Sequence, residues 1–247
     1  MMLKAFFRFY EELNDFLPQD KKKHEFPFEF SQGESVKTII EKIGVPHTEV
    51  DLILINGISV DFTERLQNND KVSVYPVFEA LDISPVIKLR PKPLRITQFI
   101  ADSHLGKLAK YLRMIGFDTL FDNHYLDEEI VRVAIQEHRI ILTRDRNLLK
   151  NPQVSHGYYV REENPELQLK EIVKHFQLGG TLKPFSVCLE CNGKIKPVSY
   201  DEIKQFLPSN NKEEYKKPSQ CANCNKVYWE GSHFLRMQQF IENLLKN

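Results

Sequence analysis

The sequence predicts an α/β protein, and three features support this fold class. Short apolar runs of strand length alternate with segments whose apolar residues recur at helical spacing. In the central part these elements follow one another as strand, helix, strand, helix, strand, an order whose right-handed connections make a parallel sheet. Two Cys-x-x-Cys pairs occupy the C-terminal third. We predict a first domain over residues 1–80, a proline-containing linker over 81–94, a parallel-sheet domain over 95–180 and a cysteine-rich region over 181–247.

The first domain has the element order of a ubiquitin-like β-grasp fold. Phe26, Phe28 and Phe30 alternate along a predicted strand, and Asn56-Gly57 between two apolar runs is a strong hairpin signal. The predicted order is strand, strand, helix, strand, strand, strand, at residues 4–10, 23–30, 35–43, 50–55, 58–60 and 70–76.

The central domain is predicted as a parallel-sheet sandwich. Leu105, Leu108, Leu112 and Ile115 lie at helical spacing, and Gly116 is a natural helix stop. The predicted strands are residues 96–101, 117–121, 139–143 and 154–160, and the predicted helices are residues 103–115, 127–135 and 167–176.

Four acidic residues fall at the ends of these elements. Asp102 and Asp145 follow the first and third strands, and Asp127 and Glu128 begin the second helix. Ligands of open α/β sheets bind outside the carboxyl ends of the strands, where these side chains can meet. Carboxylate oxygens suit Mg²⁺ or Mn²⁺, and such an ion can activate water and neutralise a phosphodiester transition state. In the alternative interpretation these residues are only turn residues and helix N-caps.

All four cysteines of the chain belong to the two Cys-x-x-Cys pairs. Cys188, Cys191, Cys221 and Cys224 are the pattern of a closed, tetrahedral zinc site with a structural role. Two disulfides are the alternative, which a reducing compartment disfavours. His233 is a tempting further ligand or base, but it is better placed to cap the final helix. Trp229 and its aromatic neighbours either stack on bases or form a small core.

Charge and hydropathy set further bounds on function. The 34 basic and 34 acidic residues balance, so bulk charge does not indicate nucleic acid. Basic residues nevertheless cluster between Lys88 and Arg113, with Asp102 as the one acid among them. No apolar run could span a membrane and no signal-peptide pattern begins the chain, so a cytoplasmic protein is expected. Basic side chains near the acidic residues could contact RNA phosphates, and the alternative is that they are solvated surface charges. The candidates are His104, Lys107, Lys110, Arg113, Arg144 and Arg146.

Residues 102–118 together with Leu142-Thr-Arg-Asp-Arg146 resemble the Mut7-C family, a branch of the PIN-like ribonucleases, here with a C-terminal zinc ribbon. The resemblance covers roughly residues 95–240. It implies a metal-dependent ribonuclease that cleaves RNA, with tRNA or another structured RNA as a candidate substrate and with Asp102 and Asp145 as metal ligands. Asp127 matches the middle acid, with Glu128 as its competitor. A fourth acid is not evident, because Glu162 is the next acidic residue after Asp145.

The first domain resembles the sulfur-carrier branch of the ubiquitin-like fold around Leu54-Ile-Asn-Gly57 and residues 69–77. Those carriers act through a free C-terminal Gly-Gly, whereas this chain continues past Pro76 without one. We therefore expect a docking or substrate-positioning module, with a protein partner as one candidate for docking. Three functions remain open: a metal-dependent ribonuclease, a non-catalytic RNA-binding module, and an adaptor that recruits a protein through its ubiquitin-like domain.

Overall fold

The computed structural model describes residues 2–76, 97–207 and 215–245. It confirms the mixed α/β class. The chain packs as two compact units, Met1–Ile96 with Asp127–Tyr159 and Thr97–Leu126 with Val160–Asn247. The predicted linker lies outside the described residues, as do the basic residues Lys88, Arg90, Lys92 and Arg95.

The first 76 residues form the predicted β-grasp domain. Its elements are β1 (Met2–Phe9), β2 (Phe26–Ser31), α1 (Val36–Ile43), β3 (Val50–Ile55), β4 (Ile58–Val60) and β5 (Lys71–Pro76). The sheet order is β2-β1-β5-β3-β4, with β1 and β5 parallel and the other neighbours antiparallel. Pro27 lies in the edge strand β2, where the missing backbone N–H is tolerated.

Residue patterning explains this domain. Alternate residues of β1 point inward, so that Ala5, Phe7 and Phe9 are buried in one hydrophobic cluster with residues of α1 and β2. The Ser35 hydroxyl accepts a hydrogen bond from the Thr38 amide and begins α1, and Gly44, at φ +126°, ends it.

The central elements follow the predicted order. They are β6 (Phe99–Ala101), α2 (Gly106–Met114), β7 (Thr119–Leu120), α3 (Asp127–Glu137), β8 (Ile140–Thr143), α4 (Arg146–Leu149), β9 (Gly157–Tyr159) and α5 (Pro165–His175). The pair β6 and β7 is parallel in one unit, and β8 and β9 are parallel in the other. Both pairs therefore confirm the predicted strand direction. The short helix α4 was not predicted, because four residues are too few to display a helical period.

The core of the second unit lies between α2 and α5. Leu108 and Leu112 of α2 are fully buried, and Phe99 of β6 contacts the ring of Phe176 edge-on at 5.5 Å. Gly116 lies at φ +100°, where an added Cβ would come within 2.2 Å of the Lys183 carbonyl oxygen. Glycine is required there, because it alone permits both the backbone conformation and this close approach.

The C-terminal region contains a small antiparallel sheet and three helical segments. Its elements are β10 (Ile195–Pro197), α6 (Tyr200–Ile203), the 3₁₀ segment Lys204–Phe206, β11 (Ser219–Cys221), β12 (Val227–Tyr228) and α7 (Ser232–Leu245). The helix after the second cysteine pair was predicted. Within the ranges that the structure describes, no helix combines the length and apolar character needed to cross a bilayer.

Candidate functional site

The structure brings the four cysteines together. The ligand atoms of Cys188, Cys191, Cys221 and Cys224 all lie within 4.8 Å of one another. Sulfur to sulfur distances are 3.6 Å for Cys188–Cys224 and 3.4 Å for Cys191–Cys221, and none of the four forms a disulfide. Four thiolates that bind one zinc ion at about 2.3 Å in a tetrahedron lie about 3.8 Å apart. The donor set and its spacing therefore fit a zinc ion.

Both cysteine pairs use the same local turn. The first pair is followed by Asn192, at φ +66°, and the second by Asn225, at φ +59°. Each asparagine amide donates back to the carbonyl of the first cysteine of its pair, at 3.1 and 3.2 Å. Asparagine accepts the left-handed conformation more readily than most residues, so the Cys-x-x-Cys-Asn sequence favours this turn. At Gly193 an added Cβ would lie 2.9 Å from the sulfur of Cys221, so glycine lets the two turns approach.

The pKa values of two thiols in the cluster are shifted in opposite directions. Burial opposes ionisation of Cys188, but hydrogen bonds from the Tyr228 hydroxyl and from two backbone amides outweigh it and lower its pKa to about 6. Burial raises the pKa of Cys191 to about 12, and the neighbouring cysteines add to the effect. Four thiolates cannot coexist at such distances without positive charge between them, and a bound metal ion supplies it.

The first cysteine turn is tied to the central elements of its unit through Arg113. This guanidinium is only 3% exposed and donates to the carbonyl oxygens of Thr119, Leu189 and Glu190, at 2.8, 3.0 and 2.9 Å. Burial lowers its pKa, and the nearby Cys188 and Cys191 counteract that effect. Arg113 was predicted to contact RNA. Its burial and its three acceptors give it a structural role instead, so we leave it out of the RNA-binding residues proposed below.

Asn192 makes a second connection between the same turn and the central elements. Its side-chain carbonyl accepts from the Thr119 amide at 2.8 Å, and its side-chain NH₂ donates to Asp118. The other Asp118 oxygen accepts from Gln98 at 3.0 Å. The start of β7 is therefore fixed by the residue that directly follows the second cysteine.

Replacing Arg113 with methionine is expected to lower the free energy of unfolding by about 3 kcal/mol, because three backbone carbonyl groups, one in a buried and two in part-buried hydrogen bonds, lose their donor. Urea unfolding of the metal-loaded protein measures this. Arg132 is a matched control, since it is exposed and its contact is with Gln136 within α3. Its exchange for methionine should change the stability by less than about 0.5 kcal/mol. Equal values for the two variants would contradict the structural role of Arg113.

Asp102 lies at the carboxyl end of β6, as predicted. It is 7% exposed, and its Oδ1 accepts a hydrogen bond from the Ser103 hydroxyl at 3.0 Å. Its side chain makes no capping hydrogen bond to the helical turn Ser103–Leu105 that it precedes. The alternative role as a helix N-cap therefore does not explain this carboxylate. Burial of a charged carboxylate is costly unless cations or hydrogen bonds compensate it.

Asp145 follows β8 after one intervening residue. Its Oδ1 accepts from the Asn147 amide at 2.7 Å and caps α4, while its own amide donates to the Thr143 hydroxyl at 2.8 Å. Here the capping role that the sequence allowed is present. A carboxylate has about four acceptor positions on two oxygens, so a cap does not exclude metal binding.

The remaining two acids open α3. Asp127 and Glu128 are both exposed in its first turn, where negative charge is favourable to the helix dipole. Asp102 belongs to one compact unit, and Asp127, Glu128 and Asp145 belong to the other. Their convergence on one ion is proposed below.

The residues predicted to contact RNA are placed in different ways. His104 and Lys107 are exposed, and Arg144 is half-buried. Lys110 pairs with Glu190 at 3.4 Å, and the pKa of Glu190 is lowered, chiefly by its hydrogen bond from Lys226. These four side chains keep RNA contact as a prediction. The Arg146 guanidinium lies over the rings of Phe16 and Tyr159, within its own unit.

The aromatic residues near the second cysteine pair contact one another. Trp229 meets Tyr215 edge-on at 5.0 Å, and Phe234 packs against Phe185 at 4.4 Å. His233 is exposed in the first turn of α7. Tyr215 is buried and Trp229 is 37% exposed, so these rings make contacts of the small-core kind while base stacking by Trp229 stays a prediction.

Several residues of the site were missed from the sequence. Asn192 and Tyr228 support the cysteine cluster, and Glu49 in the β-grasp domain accepts from the Tyr159 amide at 2.6 Å. The asparagine after each cysteine pair was a readable signal for the turn. The other two contacts join residues 40 or more positions apart, so no local pattern announces them.

Comparison with known families decides the relationship. Residues 97–241, which contain the cysteine cluster, Asp102 and Asp145, match the family described as the Mut7-C RNAse domain. The chain belongs to the Mut7-C RNase family. Residues 2–82 match the family described as Mut7-C ubiquitin, in agreement with the β-grasp topology. The two matches confirm the resemblance and support a nuclease-like function.

The chain is also similar to a protein described as Exonuclease mut-7 homolog from Homo sapiens. The two are 33% identical over 122 residues, which is 47% of this chain and 14% of the human protein. The Mut7-C chain therefore spans only a small part of that relative.

Proposed function

We propose that this Mut7-C protein is a Mg²⁺- or Mn²⁺-dependent ribonuclease that hydrolyses RNA phosphodiester bonds, with cleavage inside the RNA strand. The observation that carries the proposal is the buried Asp102 carboxylate, which directly follows a parallel strand and does not cap the turn after it. The family match of residues 97–241 supports the same conclusion.

In this proposal Asp102, Asp127 and Asp145 hold the ion, with Glu128 as the alternative to Asp127. Each is a carboxylate next to the end of a strand or the start of a helix, and hard oxygen donors suit Mg²⁺ and Mn²⁺. When bound, the ion lowers the pKa of its water and neutralises charge on the phosphate. The protein's own contribution is to fix Asp102 and Asp145 just past the ends of short, buried strands and Asp127 at the start of α3.

RNA would approach along the surface that carries the exposed His104 and Lys107, with Lys110 and Arg144 as further phosphate contacts. Lys110 would exchange its partner Glu190, which is itself exposed, for a phosphate. Exposed ion pairs contribute little, so this exchange costs little. Contacts of this kind make RNA affinity fall steeply with salt.

The four-cysteine cluster is proposed to bind one structural Zn²⁺. A site with four thiolates leaves no open position for water, and so it stabilises the fold without taking part in hydrolysis. Through Arg113 and Asn192 it fixes the end of α2 and the start of β7. We propose 181–247 as the zinc ribbon and final helix, after the PIN-like domain 95–180.

The test is cleavage of a circular single-stranded RNA by purified protein with added Mn²⁺. We expect linear products that accumulate with time and that EDTA suppresses, because a circle has no end for an exonuclease. Cleavage of linear but not circular RNA would retain the nuclease and exclude the endonucleolytic mode. Salt-dependent binding of RNA without any product would instead identify the chain as a non-catalytic RNA-binding module, which the missing fourth acid favours.

A further inference from the structure

The β-grasp domain and residues 127–159 share one compact unit, and several side chains join them. The contacts come from two places in the β-grasp domain, the 3₁₀ segments Glu11–Phe16 and His47–Glu49. They reach Arg146 and the segment that contains β9. Arg146 directly follows the proposed metal ligand Asp145, so these contacts lie next to the proposed active site.

Arg146 is the first of these connections. Its Nη1 donates to the carbonyl oxygen of Phe16 at 3.2 Å, and its Nη2 donates to the carbonyl oxygen of Asp15 at 3.1 Å. The guanidinium carbon also lies 5.0 Å from the centre of the Phe16 ring and 5.4 Å from that of Tyr159. These two rings meet edge-on at 5.2 Å. Two hydrogen bonds and two aromatic contacts therefore fix one side chain.

The second connection consists of two buried polar residues of the β-grasp domain. His47 Nε2 faces the carbonyl oxygen of Val154 at 2.7 Å, and since a carbonyl only accepts, this nitrogen carries the hydrogen. Glu49 Oε1 accepts the hydrogen bond of the Tyr159 amide at 2.6 Å. Both side chains are less than 8% exposed. Loss of either hydrogen bond would leave a buried polar group unpaired, which is costly. The β-grasp domain is thus hydrogen-bonded both to Val154, which precedes β9, and to Tyr159, the last residue of β9.

These contacts bear on Asp145 from two sides. Tyr159 pairs with Thr143 in the parallel ladder of β8 and β9, and the Thr143 hydroxyl accepts from the Asp145 amide at 2.8 Å. On the other side, Arg146 is itself the first residue of α4, and the Asp145 carboxylate caps that helix. The β-grasp domain therefore contacts Arg146, which directly follows Asp145, and Tyr159, whose strand partner Thr143 accepts the hydrogen bond of the Asp145 amide.

We propose that the β-grasp domain acts within its own chain to position Asp145, with Phe16, Glu49 and Arg146 as positioning residues. This rests on the proposed ribonuclease function. It gives the ubiquitin-like domain a catalytic-support role in place of partner recruitment, and it gives Arg146 a structural anchor in place of phosphate binding. Rigid support of a metal ligand matters because small displacements weaken metal binding.

The experiment compares the full-length variants Phe16→Leu, Arg146→Met and their combination. Positioning predicts that each single variant raises the Mn²⁺ concentration for half-maximal cleavage by about tenfold, since loss of a residue that supports a metal ligand typically lowers metal affinity by about 10- to 100-fold. The effect of the double variant should be smaller than the product of the two single effects, because both substitutions remove the contact between the Arg146 guanidinium and the Phe16 ring. RNA affinity, measured without Mn²⁺, should stay within about twofold and keep its salt dependence.

Arg8→Ala is the matched control. Arg8 is an exposed arginine of the β-grasp domain that stacks on Tyr10, 5.0 Å from the ring centre. It should leave the Mn²⁺ requirement unchanged. Weaker RNA binding by Arg146→Met, a salt slope reduced by about one and no effect of Phe16→Leu would overturn the proposal, because Arg146 would then be a phosphate ligand.

A second measurement does not depend on cleavage. Amide hydrogen exchange across residues 145–150 should become about tenfold faster in Phe16→Leu than in the wild type, while the thermal midpoint shows that the protein remains folded. Unchanged exchange there would overturn the positioning role even in an active enzyme. An inactive wild type with faster exchange in the variant would reject the ribonuclease and retain the positioning contact, so the two failures are distinguishable.

Discussion

Exchange of Asp145 or Asp102 for asparagine is expected to lower Mn²⁺-dependent RNA cleavage by about a thousandfold. Asparagine keeps the shape of each side chain and one carbonyl oxygen. At position 145 that oxygen can still accept from the Asn147 amide, and at position 102 it can still accept from the Ser103 hydroxyl. The exchange therefore removes the negative charge that binds the ion and leaves the local hydrogen bonds in place. Initial rates at saturating RNA, with thermal midpoints alongside, measure this.

Asp201→Asn is the control for this pair, because Asp201 is an exposed acid in the first turn of α6. It should keep the wild-type rate.

Asp127→Asn and Glu128→Gln then decide which residue of α3 serves as the middle ligand, since only one of them should cause a large loss of RNA cleavage. Cleavage that survives both Asp102→Asn and Asp145→Asn would show that the activity resides elsewhere.

Removal of the metal from the four-cysteine cluster is expected to lower the thermal midpoint by about 10 °C or more. Structural zinc sites contribute about 10–16 kcal/mol of apparent binding free energy, which is folding free energy when the site forms with the fold. The effect should extend beyond the cysteine turns, since Arg113 and Asn192 connect them to α2 and β7. Thermal unfolding before and after treatment with a strong zinc chelator, together with metal analysis that gives one zinc per chain, measures this.

Cys224→Ser provides the genetic counterpart, because it removes one exposed ligand and leaves its partners. It should lower both zinc content and thermal midpoint. A reducing agent added to the metal-loaded protein is the control for the disulfide alternative and should leave the midpoint unchanged. A midpoint that falls with the reducing agent and not with the chelator would contradict the zinc site.

Much of the fold was predictable because its signals are local. The alternating phenylalanines of β2 and the Asn56-Gly57 turn lie within a few residues of one another, and the structure has Phe26 and Phe30 buried and both turn residues at positive φ. The apolar face of α2 was equally readable from the spacing of Leu108 and Leu112. Helix α4 was not, since it is a single turn whose cap, Asp145, was interpreted mainly as a metal ligand.

The roles of the arginines were the least predictable part of the site. Sequence placed Arg113 and Arg146 beside an acidic motif, and proximity to acids suggested phosphate binding. In the structure Arg113 donates to three carbonyl groups, and Arg146 donates to the carbonyl groups of Asp15 and Phe16. A guanidinium is suited to both phosphate and backbone oxygens, so residue type alone does not distinguish them.

By itself the sequence determined the α/β class, the order of the β-grasp elements and the two Cys-x-x-Cys motifs. Strand alternation, helical period and the turn between two such cysteines each depend on only a few neighbouring residues. Only the tertiary structure decided which charged groups are buried and what they bind. Arg113 lies 76 positions from Leu189, and Arg146 lies 130 positions from Phe16. Contacts over such separations depend on how whole elements pack. Because any residue offers a backbone carbonyl, the type of the partner residue does not predict such a hydrogen bond.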